Sequence, residues 1–267
     1  MQNNQIIILK TYNMKKIIIL TLLSFIFSHV HLDAVTSKQK IINAAIPDSF
    51  DWRNYIKIST RGPSSCGTNW SFATLNMLET LYLKRNGQYV KFSEQMLLDC
   101  VTKNNGCNGY VEYALDWIKK NGIMRDSDYV YKGTRGICKA TSSLYIDMKV
   151  TGYKKLGEST SRYGPADENE MRHILYQKGP YIVGINSSLL RTYTSGIIDA
   201  SDTQCHPTVI DHLCLLVGYG TSNGIDYWIL QNSWGKSWGE NGYFRVARGK
   251  SVCGVNYYAI YADVEFS

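Results

Sequence analysis

The chain has 267 residues, of which 44% are apolar and 19% charged, so it is long enough for a sizeable core and too hydrophobic for general disorder. Its formal net charge is +7, but the lysines and arginines are scattered, and no basic block is interleaved with aromatic residues. This distribution argues against nucleic-acid binding and favours an ordinary basic surface.

The N-terminal segment has the features of a secretory signal peptide. Two lysines precede an apolar run over residues 17–27, and small or polar residues follow as far as Ala34. The run is too short to span a bilayer, and no later segment reaches about 20 consecutive apolar residues. We therefore expect an extracellular chain (or one in a lysosome-type compartment) that loses residues 1–34 and keeps a short pro-region remnant over residues 35–45. Met14 is an alternative start.

Four helices are predicted before the pattern of the sequence changes. Their positions follow from apolar residues at helical spacing, from capping residues and from glycines that stop a helix. The first helix has Asn69 at its N-terminus. The predicted helices cover residues 68–86, a segment from residue 93 onward, residues 111–120 and residues 166–178.

Short apolar runs follow Pro180, separated by Gly, Asn and Ser, and this pattern is typical of strands. The predicted strands cover residues 181–185, 212–219, 226–231 and 242–247. Because helices come first and strands after, the pattern predicts an α+β fold. We place one domain over residues 46–267, with a helical lobe over about 55–150 and a β lobe over about 151–255.

Three separate motifs contain residue types that thiol proteases use. They are Cys66-Gly67-Thr68-Asn69-Trp70, then Asp211-His212, and finally Gln231-Asn232-Ser233-Trp234-Gly235. A cysteine at position 69 would complete a nucleophile, with His212 as its base and Asn232 as the residue that orients the base. The chain has an asparagine there instead.

With several other landmarks, these motifs resemble the papain family of cysteine proteases over residues 46 to about 262. The further landmarks are Asp51-Trp52-Arg53, Ser93-Glu94-Gln95, Gly106-Cys107-Asn108-Gly109, Val217-Gly218-Tyr219-Gly220 and Trp238-Gly239-Glu240. The resemblance, which is to cathepsin L-type and group 1 mite allergen proteases, implies a two-lobed papain-like fold. It implies a helical lobe, an antiparallel β-barrel-like lobe, a cleft between them, and no cofactor or metal.

Seven cysteines in a secreted chain suggest disulfides and one remaining thiol. The resemblance implies the pairs Cys66–Cys107, Cys100–Cys138 and Cys205–Cys253. Cys214 then remains, two residues after His212. It is either a displaced nucleophile or a small buried hydrophobic residue, and we favour the second interpretation.

Three further positions depart from the family pattern. Pro63 stands where the family has a glutamine whose amide stabilises the oxyanion, and proline has no donor. Gly109 is followed by Tyr110 instead of a second glycine, so the tyrosine should crowd the wall of the cleft. Leu213 follows His212 where the family has small residues lining the pocket.

These observations predict an inactivated homologue that acts by binding. The resemblance implies that Trp234 still covers the hydrogen bond between His212 and Asn232. Expected partners are peptides or proteins in the cleft, including cystatin-type inhibitors or host extracellular proteins, and we expect a monomer. The alternatives are an active endopeptidase with an atypical nucleophile, a sequence error at position 69, and a secreted structural protein without a cleft function.

Two Asn-x-Ser sequons occur, at Asn69 and Asn186. Glycosylation needs an accessible, flexible loop. We therefore expect Asn186 to be the glycosylation site and Asn69, at a packed helix start, to remain unmodified.

Overall fold

Four α-helices and eight β-strands form the regular structure of the residues that the computed structural model describes, namely 46–55, 68–106, 108–156 and 165–266. The helices are α1 (Asn69–Asn86), α2 (Glu94–Cys100), α3 (Val111–Asn121) and α4 (Glu168–Lys178). Short 3₁₀ helices lie at Trp52–Asn54, Ser142–Leu144, Leu190–Thr192 and Val252–Gly254. All four predicted helices are present, with ends shifted by one or two residues.

The helix α1 is the central helix, because it is buried on most of its sides. Its polar side chains therefore form their hydrogen bonds inside the protein. Buried Glu79, for example, accepts hydrogen bonds from the Phe92 N–H at 2.6 Å and from the Tyr89 hydroxyl at 3.0 Å. The helix ends where Gly87 takes a φ of +70° and donates its N–H to the Leu83 carbonyl at 2.8 Å.

Side-chain caps fix the starts of two further helices. The Ser93 hydroxyl accepts a hydrogen bond from the Met96 N–H at 3.0 Å at the start of α2, as the sequence predicted. A carboxylate oxygen of Asp167 accepts from the N–H groups of Asn169 and Glu170 at the start of α4. The helix α4 therefore begins two residues later than its predicted start.

The strands form one sheet among the described residues. They are β1 (Phe50–Asp51), β2 (Lys149–Leu156), β3 (Tyr181–Ile185), β4 (Ile197–Ile198), β5 (His212–Ser222), β6 (Ile225–Gln231), β7 (Tyr243–Ala247) and β8 (Ala259–Glu265). Their spatial order is β2-β8-β3-β5-β6-β7-β4, and β1 pairs with β5. The strand β5 is central, and α1 packs against it, which brings the start of α1 close to the start of β5.

The sheet is mostly antiparallel, as expected, but it corrects the expected barrel-like shape. Its pairs are antiparallel except for β4 and β7, which are parallel. The two ends of the strand order, β2 and β4, do not pair with each other within the described part of the chain, so the sheet is open. Closure requires the first and last strands to bond. The strand β4 has only two residues, and both pair with β7.

The sequence analysis missed the edge strand β2 and its neighbour β8. Only Val150 and Leu156 of β2 are buried, and a bulge interrupts its pairing between Val150 and Gly152. Exposed lysines and a bulge are common on edge strands, where they discourage pairing with other chains. They also remove the apolar alternation by which a strand is predicted.

Two of the three expected disulfides are present, namely Cys100–Cys138 and Cys205–Cys253. The expected Cys66–Cys107 pair lies outside the described residues. Over the ranges that the structure describes, no helix has the length and apolar content needed to cross a membrane.

Candidate active site

The side chain of Asn69 meets that of His212 where α1 begins beside β5. The Asn69 Nδ2 atom lies 3.1 Å from Nδ1 of His212. Position 69 is therefore next to the imidazole, as the order of motifs along the chain predicts. The group beside the imidazole is therefore a carboxamide.

The imidazole is held on its other side by Asn232, which follows the end of β6. The distance between His212 Nε2 and Asn232 Oδ1 is 2.8 Å, and both residues are buried. The Asn232 N–H donates to the Gly242 carbonyl at 2.9 Å, which fixes the loop that carries Asn232. The expected pair of base and orienting residue is thus assembled.

Trp234 packs beside this pair. Its ring centroid is 5.2 Å from that of His212, and it also packs edge-on against Trp238 at 5.1 Å. The Trp238 Nε1–H donates to the Leu190 carbonyl at 3.1 Å, so the second indole is anchored to the opposite loop. The Trp234 ring therefore packs against the imidazole, and Trp238 packs against Trp234.

Hydrogen-bond chemistry assigns one neutral tautomer to His212. An amide nitrogen only donates, so Nδ1 of the imidazole accepts from Asn69. The ring proton is then on Nε2, and it donates to the carbonyl oxygen of Asn232. The Nδ1 lone pair, which a general base would use, is occupied by the amide.

Burial lowers the pKa of His212 below its ordinary value of 6.5, and this effect is larger than the opposing effects of the Asn232 hydrogen bond and the Asp211 carboxylate. Protonation of Nδ1 would also point its new N–H at the N–H of Asn69. Burial and the amide contact therefore both favour neutral imidazole.

Other nucleophile candidates are engaged or buried. The Ser71 hydroxyl donates to the Thr68 carbonyl at 3.1 Å, inside the protein. Cys214 is 2% exposed, and burial raises the pKa of its thiol far above the ordinary value. Among the described residues, Nδ1 of His212 bonds to Asn69 and to no thiol or hydroxyl. The Cys214 environment supports its interpretation as a packing residue.

A cavity of about 600 Å³ opens beside this pair. One side is formed by residues 103–105 and 108–110, and the other by residues 210–213, with Tyr258 near them. The expected cleft residues Gly109, Tyr110 and Leu213 all line it. Pro63, the expected substitution at the oxyanion position, lies outside the described residues.

Gly109 is required by a neighbouring asparagine that the sequence analysis missed. A Cβ atom on Gly109 would lie 2.4 Å from Cγ of Asn104. The Asn104 side chain is 2% exposed and bonds to the main chain of Tyr110. The run Asn104-Asn105-Gly106 carries turn chemistry that could have indicated a structural asparagine. The sequence holds no comparable signal for Ile210 or Tyr258.

Asn186 corrects the glycosylation expectation. Its side chain is 6% exposed, and its Nδ2 atom, to which a glycan would attach, donates to the His206 carbonyl at 3.1 Å. Its Oδ1 atom accepts from the Ser188 N–H and hydroxyl. The sequon is therefore part of a packed, hydrogen-bonded turn in the folded chain.

Across the described ranges, no group of three His, Cys, Asp or Glu side chains is arranged to hold a metal ion.

The chain is similar in sequence to known proteins. Residues 46–263 match the sequence profile of the papain family cysteine proteases. The chain is 36% identical over 230 residues to a viral cathepsin of Adoxophyes honmai nucleopolyhedrovirus. The aligned region covers 85% of this chain and 64% of that protein. It therefore spans less than two thirds of that curated relative.

Solved structures share the fold. A mite allergen structure described for Blo t 1 and Der p 1 matches with a TM-score of 0.74 and 32% identity, covering 83% of this chain and 73% of that one. The bromelain protease of Ananas comosus, solved with the inhibitor E64, matches with a TM-score of 0.71 and 32% identity, covering 82% of this chain and 100% of that one. The α+β, papain-like fold is thus established.

We predict that His212 titrates below pH 6.5 in the folded protein, because burial and the Asn69 amide favour its neutral form. Asn69→Asp should raise the pKa, since a carboxylate would pair with protonated Nδ1. Asn105→Asp adds the same charge at an exposed cleft residue and should raise it less. ¹⁵N NMR titration of the imidazole measures all three, and an ordinary or raised midpoint in the parent protein would contradict the assignment.

The same shift has a consequence for stability. Because the folded-state pKa is lowered, the unfolded chain binds more protons as the pH falls below about 6.5. The contribution of His212 to the free energy of unfolding is therefore complete above that pH and declines toward acid.

We predict that Gly109→Ala lowers the free energy of unfolding by about 1–3 kcal/mol, because the new Cβ must displace Asn104. Gly152→Ala is the matched control, since a Cβ there meets nothing within 4 Å. Urea unfolding measures both variants. Equal stability of the two would show that Asn104 can move aside at little cost.

Proposed function

Because the chain belongs to the papain family of cysteine proteases, we propose that it is a non-catalytic member that binds polypeptide in its cleft without cutting it. The observation that carries the proposal is the 3.1 Å contact between Asn69 Nδ2 and His212 Nδ1. The nitrogen of a primary amide shares its lone pair with the carbonyl. It therefore cannot attack a peptide bond as a thiolate does.

The loss of catalytic rate that is expected without a nucleophile is large enough to support an inactive protein. Removing the nucleophile of a comparable protease triad costs on the order of 10⁶ in kcat. What then remains is binding and any stabilisation of the oxyanion, and Pro63 supplies no side-chain donor for the second. The buried Ser71 and Cys214 offer no replacement.

Binding capacity is supported by the cavity beside the imidazole. It is open, about 600 Å³ in volume, and combines amide side chains with apolar residues such as Leu213 and Ile210. The bromelain neighbour is described in complex with a protease inhibitor. We propose that this chain is secreted, is monomeric, and engages protein ligands as a decoy for cystatin-type inhibitors or by masking host extracellular proteins.

The test has two arms on the secreted full chain. The first offers a fluorogenic dipeptidyl substrate, for which we expect no turnover above buffer. The second measures binding of a purified cystatin by calorimetry, for which we expect saturable binding. Turnover would favour the alternative of an active endopeptidase with an atypical nucleophile. Absence of both activities would favour a structural role.

We predict that Asn69→Cys restores little or no hydrolysis. The sequence leaves Pro63 without the oxyanion donor, whose loss alone costs about 10²–10³ in kcat, and Tyr110 still stands at the cleft wall. Ser142→Cys, an exposed position, controls for thiol chemistry away from the site. The dipeptidyl substrate assay measures both variants, and activity of Asn69→Cys near that of bromelain would show a cleft competent in every respect but the nucleophile.

A further inference from the structure

The main chain of Tyr110 is fully hydrogen-bonded inside the protein, although the residue as a whole is 42% exposed and lines the cavity. Its N–H donates to Oδ1 of Asn104 at 2.9 Å. Its carbonyl accepts from Nδ2 of Asn104 at 3.2 Å and from the N–H of Ala114 at 3.4 Å, in the first turn of α3. The main chain of a residue has one N–H donor and one carbonyl oxygen with two lone pairs. In Tyr110 the N–H and both lone pairs are already hydrogen-bonded, so none of them is left to bond a ligand.

The neighbouring turn is closed in the same way. The Asn105 N–H donates to the Asn108 carbonyl at 2.8 Å, and the Asn108 N–H donates to the Asn105 carbonyl at 3.0 Å. We call residues 104–106 and 108–110 the cleft wall. At Asn105, Asn108 and Tyr110, the main-chain N–H and C=O groups are hydrogen-bonded to other groups of the protein.

The Asn104 amide is held in place. It is 2% exposed, and it packs so closely on Gly109 that a Cβ there would overlap it. Its two bonds to Tyr110 occupy the amide oxygen and one amide proton. A ligand that displaced it would leave a buried amide without partners, which costs about 1–3 kcal/mol.

Extended peptides commonly bind by adding their main chain to free N–H and C=O groups of a protein edge. Because the main-chain groups of Asn105, Asn108 and Tyr110 are bonded within the protein, these residues of the cleft wall offer their side chains instead. The Tyr110 ring packs edge-on against Tyr113 at 5.5 Å, and the Lys103 ammonium lies 5.4 Å from the Tyr113 ring. An exposed aromatic pair beside a cation suits contact with side chains of a partner.

We propose that Asn104 determines which ligands the cleft accepts, by closing the main chain of Tyr110 to peptide pairing. The cleft then takes a loop or turn of a folded protein, recognised through its side chains, in preference to an extended peptide. This inference rests on the proposed binding function and specifies the ligand of that same cleft.

The first experiment needs no ligand. Amide hydrogen exchange of Tyr110, measured by NMR on the full chain, should be slow and should accelerate by about tenfold or more in Asn104→Ala, as expected for loss of one hydrogen bond of about 1.4 kcal/mol. Asn104→Asp keeps the accepting oxygen and should keep most of the protection, which separates loss of this bond from loss of the fold. Equal exchange in the parent chain and Asn104→Ala would overturn the proposal.

The second experiment compares ligands on the parent chain and on Asn104→Ala. The probes are a fluorescent linear tripeptide, the same peptide methylated on each main-chain nitrogen in turn, and a purified cystatin. In the parent chain we expect cystatin binding, weak peptide binding, and no effect of methylation. In Asn104→Ala we expect tighter peptide binding that methylation weakens by about tenfold, the worth of one hydrogen bond.

Two results would have different meanings. Tight peptide binding by the parent chain that methylation weakens would overturn the role of Asn104 and leave the proposed binding function intact. Absence of binding to every probe by both proteins would overturn the binding function and with it the ligand preference, and a protected Tyr110 amide would then show only that the hydrogen bond to Asn104 is present.

Discussion

The hydrogen bond from the Asn69 amide to Nδ1 of His212 is the interaction on which the properties of the cleft depend. It occupies the one lone pair with which the imidazole would remove a proton, and it does so with a group that has no nucleophilic electrons of its own. With Asn232 on the other nitrogen, the ring is held between two amides in one neutral tautomer. The proposed lack of catalysis rests on these two contacts of the imidazole.

Burial reinforces this arrangement. In an active thiol protease, a thiolate beside the ring would favour imidazolium, whereas here the surroundings of His212 lower its pKa. The neutral imidazole and its two amides present hydrogen-bonding groups to the cavity, in whose lining Lys103 and Asp211 carry the charge. Together with the bonding of the Tyr110 main chain to Asn104, this arrangement supports the proposed recognition through side chains.

The sequence predicted the elements whose local signals agree with their packing. Ser93 capped a helix as expected, and the apolar strands β3 and β5 to β7 lie where their composition placed them. The motifs also brought Asn69, His212 and Asn232 together, because residues at the start of α1, the start of β5 and the end of β6 meet in this fold. A match to the motif order of a known family predicts which distant residues meet in the fold, whereas periodicity predicts only local helices and strands.

Two of the failures share one cause, which is that the structure there depends on partners far along the chain. The strand β2 was missed because its lysines hide a strand that only its pairing with β8 defines. Asn186 has the sequence of a glycosylation site but is bonded to His206, twenty residues later. Asn104 was overlooked for a different reason, since its importance arises from its close fit against Gly109 and Tyr110 in a folded turn.

The most direct test of the central claim is a search for a covalent intermediate. The full chain would be incubated with an activated peptide ester, quenched in acid at short times and measured by intact mass spectrometry, with bromelain as the reactive control. We expect bromelain to gain the mass of the acyl group and this protein to remain unmodified. An acyl adduct on any residue of this chain, formed while the ester is hydrolysed, would contradict the account.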